Sequence, residues 1–216
     1  MSPFSCRVCH ATSCKETLHF TKAPRAIERL IEVTDFEGDL PVELTVVQCT
    51  VCGHVQLPYA MQVDYYEEYL MSHSHVLKMQ AFQKEQAAAF MHHFSVEAGA
   101  SVFEAGCGDG QYSLLLKNMG YNVVANEASE KARQTCMAKG LQTLAGYVGR
   151  GGMPDHSGKF DVFVTRQVLE HVPDPNDFLQ GARELLKPNG FMLVEVPSLE
   201  QALEHQRFFD FFPDHL

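Results

Sequence analysis

Basic residues are the charge in short supply: 17 Lys and Arg against 27 Asp and Glu over 216 residues leave a formal charge of −10. The deficit runs along the whole chain, with 5 basic and 7 acidic groups in residues 1–58 and 12 and 20 in the remainder. Neither part offers a basic face that would neutralise phosphates, which excludes nucleic acid as a partner. No apolar run approaches the roughly 18–20 residues of a membrane span, so no membrane partner is expected. The opening Met1-Ser2-Pro3-Phe4-Ser5-Cys6 lacks the cationic start and apolar stretch of a signal peptide. The expected setting is the cytoplasm. With 45% hydrophobic and 20% charged residues the chain is also far from the disordered extremes, and a sizeable core is available.

There are seven cysteines. An odd number in a reducing compartment favours metal ligation over a disulfide framework. Cys6-Arg7-Val8-Cys9 and Cys49-Thr50-Val51-Cys52-Gly53 are two Cys-x-x-Cys pairs. Each wraps a tight turn that points backbone amides at thiolates, and two such turns close a tetrahedral site. Cys6, Cys9, Cys49 and Cys52 are therefore the candidate ligands of a structural zinc ion, since four soft sulfur ligands suit zinc and leave no open position. A redox pair is the competing reading. Cys14, His10 and His54 are close in sequence but stand as bystanders. Alternation in Leu44-Thr45-Val46-Val47-Gln48 predicts strands between the pairs. Fewer than sixty residues make a poor core, so metal would supply much of the folding free energy of a zinc-binding domain over 1–58.

Residues 59–98 form a helical linker or lid. Its first half is rich in tyrosine and histidine, including Tyr65-Tyr66-Glu67-Glu68-Tyr69 and His73-Ser74-His75, and serves either to pack one module on the other or to cover a ligand. Val76, Met79, Phe82, Phe90 and Phe94 recur at helical spacing and are expected on one largely buried face.

From residue 99 the pattern alternates strand, loop and helix, which predicts a doubly wound α/β sheet. Strands are expected at 101–104, 121–126, 160–165 and 191–196. Helices are expected at 111–119, from an N-cap at Ser129 to a stop at Gly140, and from Asp174 to Leu186, with a turn at Lys187-Pro188-Asn189-Gly190. Ser198 and Gln201 form a capping box for a short last helix. The glycines of Glu104-Ala105-Gly106-Cys107-Gly108-Asp109-Gly110 remove Cβ atoms where the chain turns sharply and a ligand approaches. Their Gly-x-Gly-x-Gly spacing departs from the dinucleotide fingerprint and disfavours an NAD-linked oxidoreductase. Glu127, ending the second strand of this region, is placed to accept bonds from both hydroxyls of a ribose.

Together with Gln167-Val168-Leu169-Glu170-His171-Val172-Pro173-Asp174-Pro175 and Leu185-Leu186-Lys187-Pro188-Asn189-Gly190, this glycine loop resembles the class I S-adenosylmethionine-dependent methyltransferases over residues 100–197. The resemblance implies a Rossmann-like fold. It implies that Glu104, Gly106, Gly108, Gly110, Glu127, Ala128, Gln167, Val168 and His171 surround the cofactor, with Glu127 on the ribose. No carboxylate for the adenine amino group is evident near Val148 to Gly158.

With the front module included, the chain looks like the zinc-containing C-methyltransferase family that includes deoxysugar C-3 methyltransferases. That family carries a Tyr-His-Glu-His motif whose last histidine is a general base. Here the stretch reads Phe212-Pro213-Asp214-His215: the histidine matches, Asp214 replaces glutamate, and Phe212 has no hydroxyl. His215, Asp214 and Tyr69 are the candidate catalytic residues, acting on a small-molecule substrate by forming a nucleophilic enolate. Transfer to oxygen or nitrogen, and a cofactor-binding module without turnover, are the alternatives. Methyltransferases of this class usually add two further strands after the fifth, so residues 99–216 are expected to form an incomplete sheet with an exposed edge beside 191–196. Either the sequence is a fragment, or a second copy or another chain completes the edge, or this is a shortened variant whose activity does not follow the family.

Overall fold

The computed structural model describes residues 5–23, 40–58, 76–207 and 215. The chain divides into two compact units: residues 1–69, 170–176 and 197–216 form one, and 70–169 with 177–196 form the other. The tyrosine-rich stretch 59–75, and with it Tyr69, lies outside the described residues, as does Asp214.

The first unit contains an antiparallel sheet of β1 (Cys14–Ala23), β2 (Val42–Cys49) and β3 (Val55–Gln56), in the order β1-β2-β3. Leu44, Val46 and Leu57 are buried with Ala23 on one face, the period-two pattern of a strand with one face inward. The alternation is broken at Val47, which is also buried, and the β1–β2 register shifts between Glu16 and Leu18 opposite it. The extra residue is Thr17, so the bulge lies on β1 and bends that strand. Helix α5 (Leu199–Glu204) also belongs to this unit. The Ser198 hydroxyl caps it by accepting from the Gln201 amide at 3.3 Å, while the Gln201 side chain donates to Glu204, so the reciprocal half of the expected box does not form.

The second unit is a five-stranded parallel sheet. Its strands are β4 (Ser101–Ala105), β5 (Asn122–Asn126), β6 (Gln142–Leu144), β7 (Phe160–Arg166) and β8 (Leu186–Glu195), arranged β6-β5-β4-β7-β8. Val102 and Phe103, and Val162, Phe163 and Val164, are buried on consecutive positions. Strands covered on both faces read as continuous apolar runs. Helices α1 (Leu77–His93), α2 (Gln111–Asn118), α3 (Glu130–Ala138) and α4 (Pro175–Leu185) accompany the sheet. This is the Rossmann-like α/β fold expected from the sequence.

Three details depart from expectation. The buried residues of α1 are Gln83, Ala87 and Met91, four apart, while Phe82 and Val76 are exposed. The aromatic ridge lies to the side of that stripe, where Phe94 stacks on Phe191 with ring centroids 4.4 Å apart. The three-residue β6 is too short to leave a periodic signal. Lys187–Gly190 belongs to β8 instead of forming a free turn: Asn189 takes φ 65°, the register against β7 shifts there, and Lys187 Nζ reaches both oxygens of Asp161 at 2.9 Å. Asp161 also accepts from the Ser101 amide at 2.8 Å and ties β7 to the start of β4. Partial burial pushes its carboxyl up, but Lys187 and the Ser101 donors outweigh that and hold it at about 2. Strand β8 ends the sheet order among the described residues.

The centre of the sheet is Phe103, fully buried, with its ring 5.7 Å from that of Phe163. Phe103→Ala is expected to cost about 3–5 kcal/mol, read as a lowered midpoint in urea unfolding. A midpoint unchanged from the parent would show that this is not the core.

Candidate functional site

Chain order β4, β5, β6 runs to one side of the sheet, and β7 then returns to the other side of β4. β4 and β7 are thus neighbours whose connections run to opposite sides of the sheet, and the crevice at such a switch point, outside the carboxyl ends of the strands, is where ligands bind in open parallel sheets. The glycine loop leaves β4, and the Gln167-Val168 turn leaves β7.

Gly106, Gly108 and Gly110 all have positive φ, at 68°, 55° and 76°. They are glycine for different reasons. A Cβ on Gly106 would lie 2.4 Å from Val168 Cγ2, and one on Gly110 would lie 2.7 Å from Leu141 Cδ1 and 2.8 Å from Cys136 Sγ. Those two let protein pack on the loop. A Cβ on Gly108 would meet nothing within 4 Å, so its bare backbone faces open space where a ligand can lie. Gly106 and Cys107 donate to the Asn126 carbonyl at 2.9 and 3.0 Å, which ties the loop to the end of β5.

Glu127 follows directly from β5. Its Oε2 accepts from the Gly108 amide at 2.8 Å and its Oε1 from the Ser129 amide at 2.9 Å. The carboxylate is thus already aimed at the loop, with lone pairs left for a ligand's hydroxyls. Arg133 donates to the Glu127 carbonyl at 2.9 Å and to that of Ala128, which fixes this corner. Gln167 takes φ 54°, and its amide donates to the Glu195 carbonyl at 2.8 Å. A non-glycine residue held in the left-handed region at a strand end is the kind of local strain that clusters at ligand sites.

Glu104 sits deeper than the other candidates. It is 3% exposed and accepts from the Ser113 hydroxyl. Burial pushes its carboxyl up to about 7, against the opposing pull of Ser113 and Arg166. Around it lies a polar group that sequence reasoning missed. Arg166 pairs with Glu195 at 2.9 Å and lies 4.3 Å from the centroid of the Tyr112 ring, and Gln86 donates to Glu195 at 2.5 Å. Burial pushes the Glu195 carboxyl up, but Gln86 and Arg166 outweigh it and leave it below the ordinary range. Cys107 and Cys136 also meet here, with sulfurs 3.6 Å apart. A cavity of about 180 Å³ lined by Val148, Gly149, Met153, Gly181 and Glu184 belongs to this unit as well, and includes no residue of the glycine loop.

In the other unit, the sulfurs of Cys6, Cys9, Cys49 and Cys52 lie within 4.8 Å of one another. The closest approaches run between the two pairs, Cys6 to Cys52 at 3.6 Å and Cys9 to Cys49 at 3.5 Å. Each pair sits in the same turn: the His10 amide donates to the Cys6 carbonyl at 2.9 Å and the Gly53 amide to the Cys49 carbonyl at 3.0 Å, with His10 and Gly53 both at positive φ. Four sulfurs this close, on matched turns, fit a tetrahedral zinc ion and leave no position for chemistry. Neither Cys14, His10 nor His54 joins the group.

The same unit brings together Glu170, His171 and His215, whose ligand atoms lie within 4.8 Å of one another. The two imidazoles have centroids 4.9 Å apart and planes at 73°. His171 and His215 are thus neighbours, although they are far apart in sequence.

Residues 79–215 match a family model described as a methyltransferase domain. The chain belongs to this methyltransferase family. Over 214 residues it is 25% identical to the C-methyltransferase NovU of Streptomyces niveus, covering 97% of this chain and 51% of that protein. Over 125 residues it is 37% identical to the ubiquinone biosynthesis O-methyltransferase of Caulobacter vibrioides, covering 53% of this chain and 49% of the other. This methyltransferase-family chain therefore spans about half the length of the curated relatives it matches. Among solved structures, the PH0226 protein of Pyrococcus horikoshii has the same fold at a TM-score of 0.53 and 20% identity, covering 68% of this chain and 72% of the other. No helix among the described residues is long and apolar enough to cross a membrane.

Burial of Glu104 gives a pH signature. Its folded value near 7 exceeds the ordinary 4.5, so the folded state holds the proton more tightly than the unfolded chain does. Its contribution is fully present below about pH 4.5 and is lost as pH rises through about 7. Glu104→Gln keeps the Ser113 bond without the charge. It is expected to remove that slope and to be more stable than the parent at pH 8, by an amount on the order of 3 kcal/mol, measured by urea unfolding at pH 5 and 8. Equal pH dependence in both proteins would refute the assignment.

Proposed function

We propose that this chain is an S-adenosylmethionine-dependent methyltransferase that transfers the methyl group to carbon of a small molecule. The observation that carries the reading is the open backbone at Gly108, beside a carboxylate already turned toward it, in a chain whose residues 79–215 belong to the methyltransferase family. S-adenosylmethionine supplies an electrophilic methyl group on a sulfonium. Gly106, Gly108 and Gly110 give it a close backbone surface, Glu127 accepts from its ribose hydroxyls, and Ala128, Gln167, Val168 and His171 line it. Glu104 acts from beneath by holding Ser113 and the first turn of α2, as its burial requires.

Carbon is a poor nucleophile until a neighbouring proton is removed, so transfer to carbon needs a group that develops an enolate. We assign acceptor activation to His215, the histidine matching the base of the C-methyltransferases. The 25% identity to NovU along nearly the whole chain supports this choice. Asp214 and Tyr69 belong to the same proposal on motif grounds alone. Residues 1–58 form the zinc-binding domain, with Cys6, Cys9, Cys49 and Cys52 as structural ligands. Residues 59–98 link it to a cofactor-binding domain over 99–216. Transfer to oxygen is the second reading, favoured by the 37% local identity to a ubiquinone biosynthesis O-methyltransferase.

Two variants test the reading. Gly108→Ala puts a methyl group into space that no protein atom occupies, so the fold survives at a cost of roughly 1–2 kcal/mol for the left-handed backbone. S-adenosylhomocysteine binding is expected to weaken at least tenfold by titration calorimetry. Undiminished binding would take the ligand off the glycine loop. His215→Ala is expected to keep S-adenosylhomocysteine binding and to lose about 10²–10⁴-fold in rate, measured with labelled methyl donor and a nucleotide-linked keto-deoxysugar. Label found on oxygen in the parent's product would replace carbon transfer by the second reading.

A further inference from the structure

We propose that Glu170, His171 and His215 bind a divalent transition-metal ion, at a site distinct from the four-cysteine cluster. Their ligand atoms lie within 4.8 Å of one another, and all three side chains are half-buried. Ligands bound to one such ion at about 2.0–2.2 Å stand roughly 3 Å apart, so small side-chain rotations close the set. The imidazole planes are 73° apart, which lets each ring aim an in-plane lone pair at a common point without stacking on the other.

The donor set says which ion. Two imidazoles and one carboxylate are neither the thiolates that select zinc in a closed shell nor the all-oxygen shell of calcium and magnesium. They are the set used for iron-type ions and for zinc that keeps an open position, and manganese serves as the spectroscopic probe of such a site. A half-buried site leaves those positions accessible.

The turn that carries two of the ligands is held from within its own unit. Glu170 and His171 lie in a single 3₁₀ turn, Leu169–His171. Two to five residues beyond His171, Arg7 Nη1 donates to the Pro173 carbonyl at 3.2 Å, and Asn176 Nδ2 donates to the carbonyls of Arg7 at 3.3 Å and Val8 at 2.8 Å. Arg7 and Val8 are the two residues between Cys6 and Cys9, so the cysteine turn braces the segment that presents Glu170 and His171.

Ion binding itself is independent of methyl transfer. Its consequence for the acceptor rests on the function proposed above and specifies how His215 acts in it. As a ligand, His215 would activate the acceptor through the ion, which would stabilise an acceptor oxygen as its anion while the proton passes to solvent, as bound metal does for water. That narrows the substrate class to molecules offering an enolisable carbonyl or an acidic hydroxyl.

The test uses the full chain with zinc already in the cysteine cluster, titrated with Mn(II) and followed by electron paramagnetic resonance, because manganese does not compete for four thiolates. One equivalent of Mn(II) is expected to bind, at least tenfold more weakly in Glu170→Gln, His171→Ala and His215→Ala, with zinc content and melting curves unchanged. Absence of bound Mn(II) in the parent, or equal affinity in the three variants, overturns the site. S-adenosylhomocysteine titrated into the same samples keeps the outcomes apart: cofactor binding without Mn(II) removes the ion and leaves the methyltransferase reading, while Mn(II) binding without cofactor binding does the reverse.

Discussion

Val168 resting on the backbone of Gly106 is the contact that organises the crevice. β4 and β7 are neighbours in the middle of the sheet, and the loops leaving them meet at once. With a Cβ 2.4 Å from Val168 excluded, the chain after β4 can pass under the β7 loop only as glycine. Its positive φ then turns the loop back over the strand end, where Gly106 and Cys107 find the Asn126 carbonyl. Gly110 repeats the device against Leu141 and Cys136 on the other flank. Gly108, between them, is left standing clear. The open backbone at one glycine is thus a product of close packing at the two beside it.

Such a crevice removes polar groups from water and has to satisfy them. Two buried carboxylates solve this differently. Glu195 is matched by a guanidinium and an amide and stays ionised below its ordinary range. Among the described residues Glu104 has the Ser113 hydroxyl as its one direct side-chain partner, and burial raises it toward neutrality. Arg166 stands between the two cases, paired with Glu195 and acting on Glu104 only through space. An ion pair thus stands on the β8 side, while at the start of the glycine loop burial lowers the charge that Glu104 carries near neutral pH. A low local charge there suits a backbone surface whose work is close approach, whereas a second fixed anion would compete with Glu127 for the donors of Gly108 and Ser129.

What could be read from sequence was what chemistry compresses into a few consecutive residues. The two Cys-x-x-Cys turns, the glycine loop, Glu127 at the end of β5 and the Ser129 cap each depend on backbone geometry over two to six positions, and each stands where its spacing places it. The Arg166, Glu195 and Gln86 group draws on β7, β8 and α1 and has no local pattern at all. The inward face of α1 was missed for a related reason. Phe82 and Val76 are more apolar than Gln83, yet the stripe Gln83, Ala87 and Met91 faces inward, because the small Ala87 lets the helix approach closely and Gln83 is buried with it. Lys187–Gly190 carries strong turn residues, but the Lys187–Asp161 pair and the β7 ladder keep it within β8, and Asn189 absorbs the conflict at φ 65°.

Arg7 ties the halves of the first unit's chemistry together. A Cys-x-x-Cys turn needs only its cysteines and backbone, so the intervening residues are free for other work. Here the guanidinium of Arg7 reaches the carbonyls of Leu57 and Pro173, its own amide donates to Gln56, and its carbonyl accepts from Asn176. Burial lowers the pKa of Arg7, so water has been displaced from the guanidinium, and these carbonyls stand in for it. The turn that holds the sulfurs is thereby the same turn that grips residues 173–176, just beyond His171. A disturbance of the cysteine cluster would move Arg7 and Val8 and, through them, the peptide that presents Glu170 and His171. A metal held by the four cysteines would in this way set the position of groups outside its own shell.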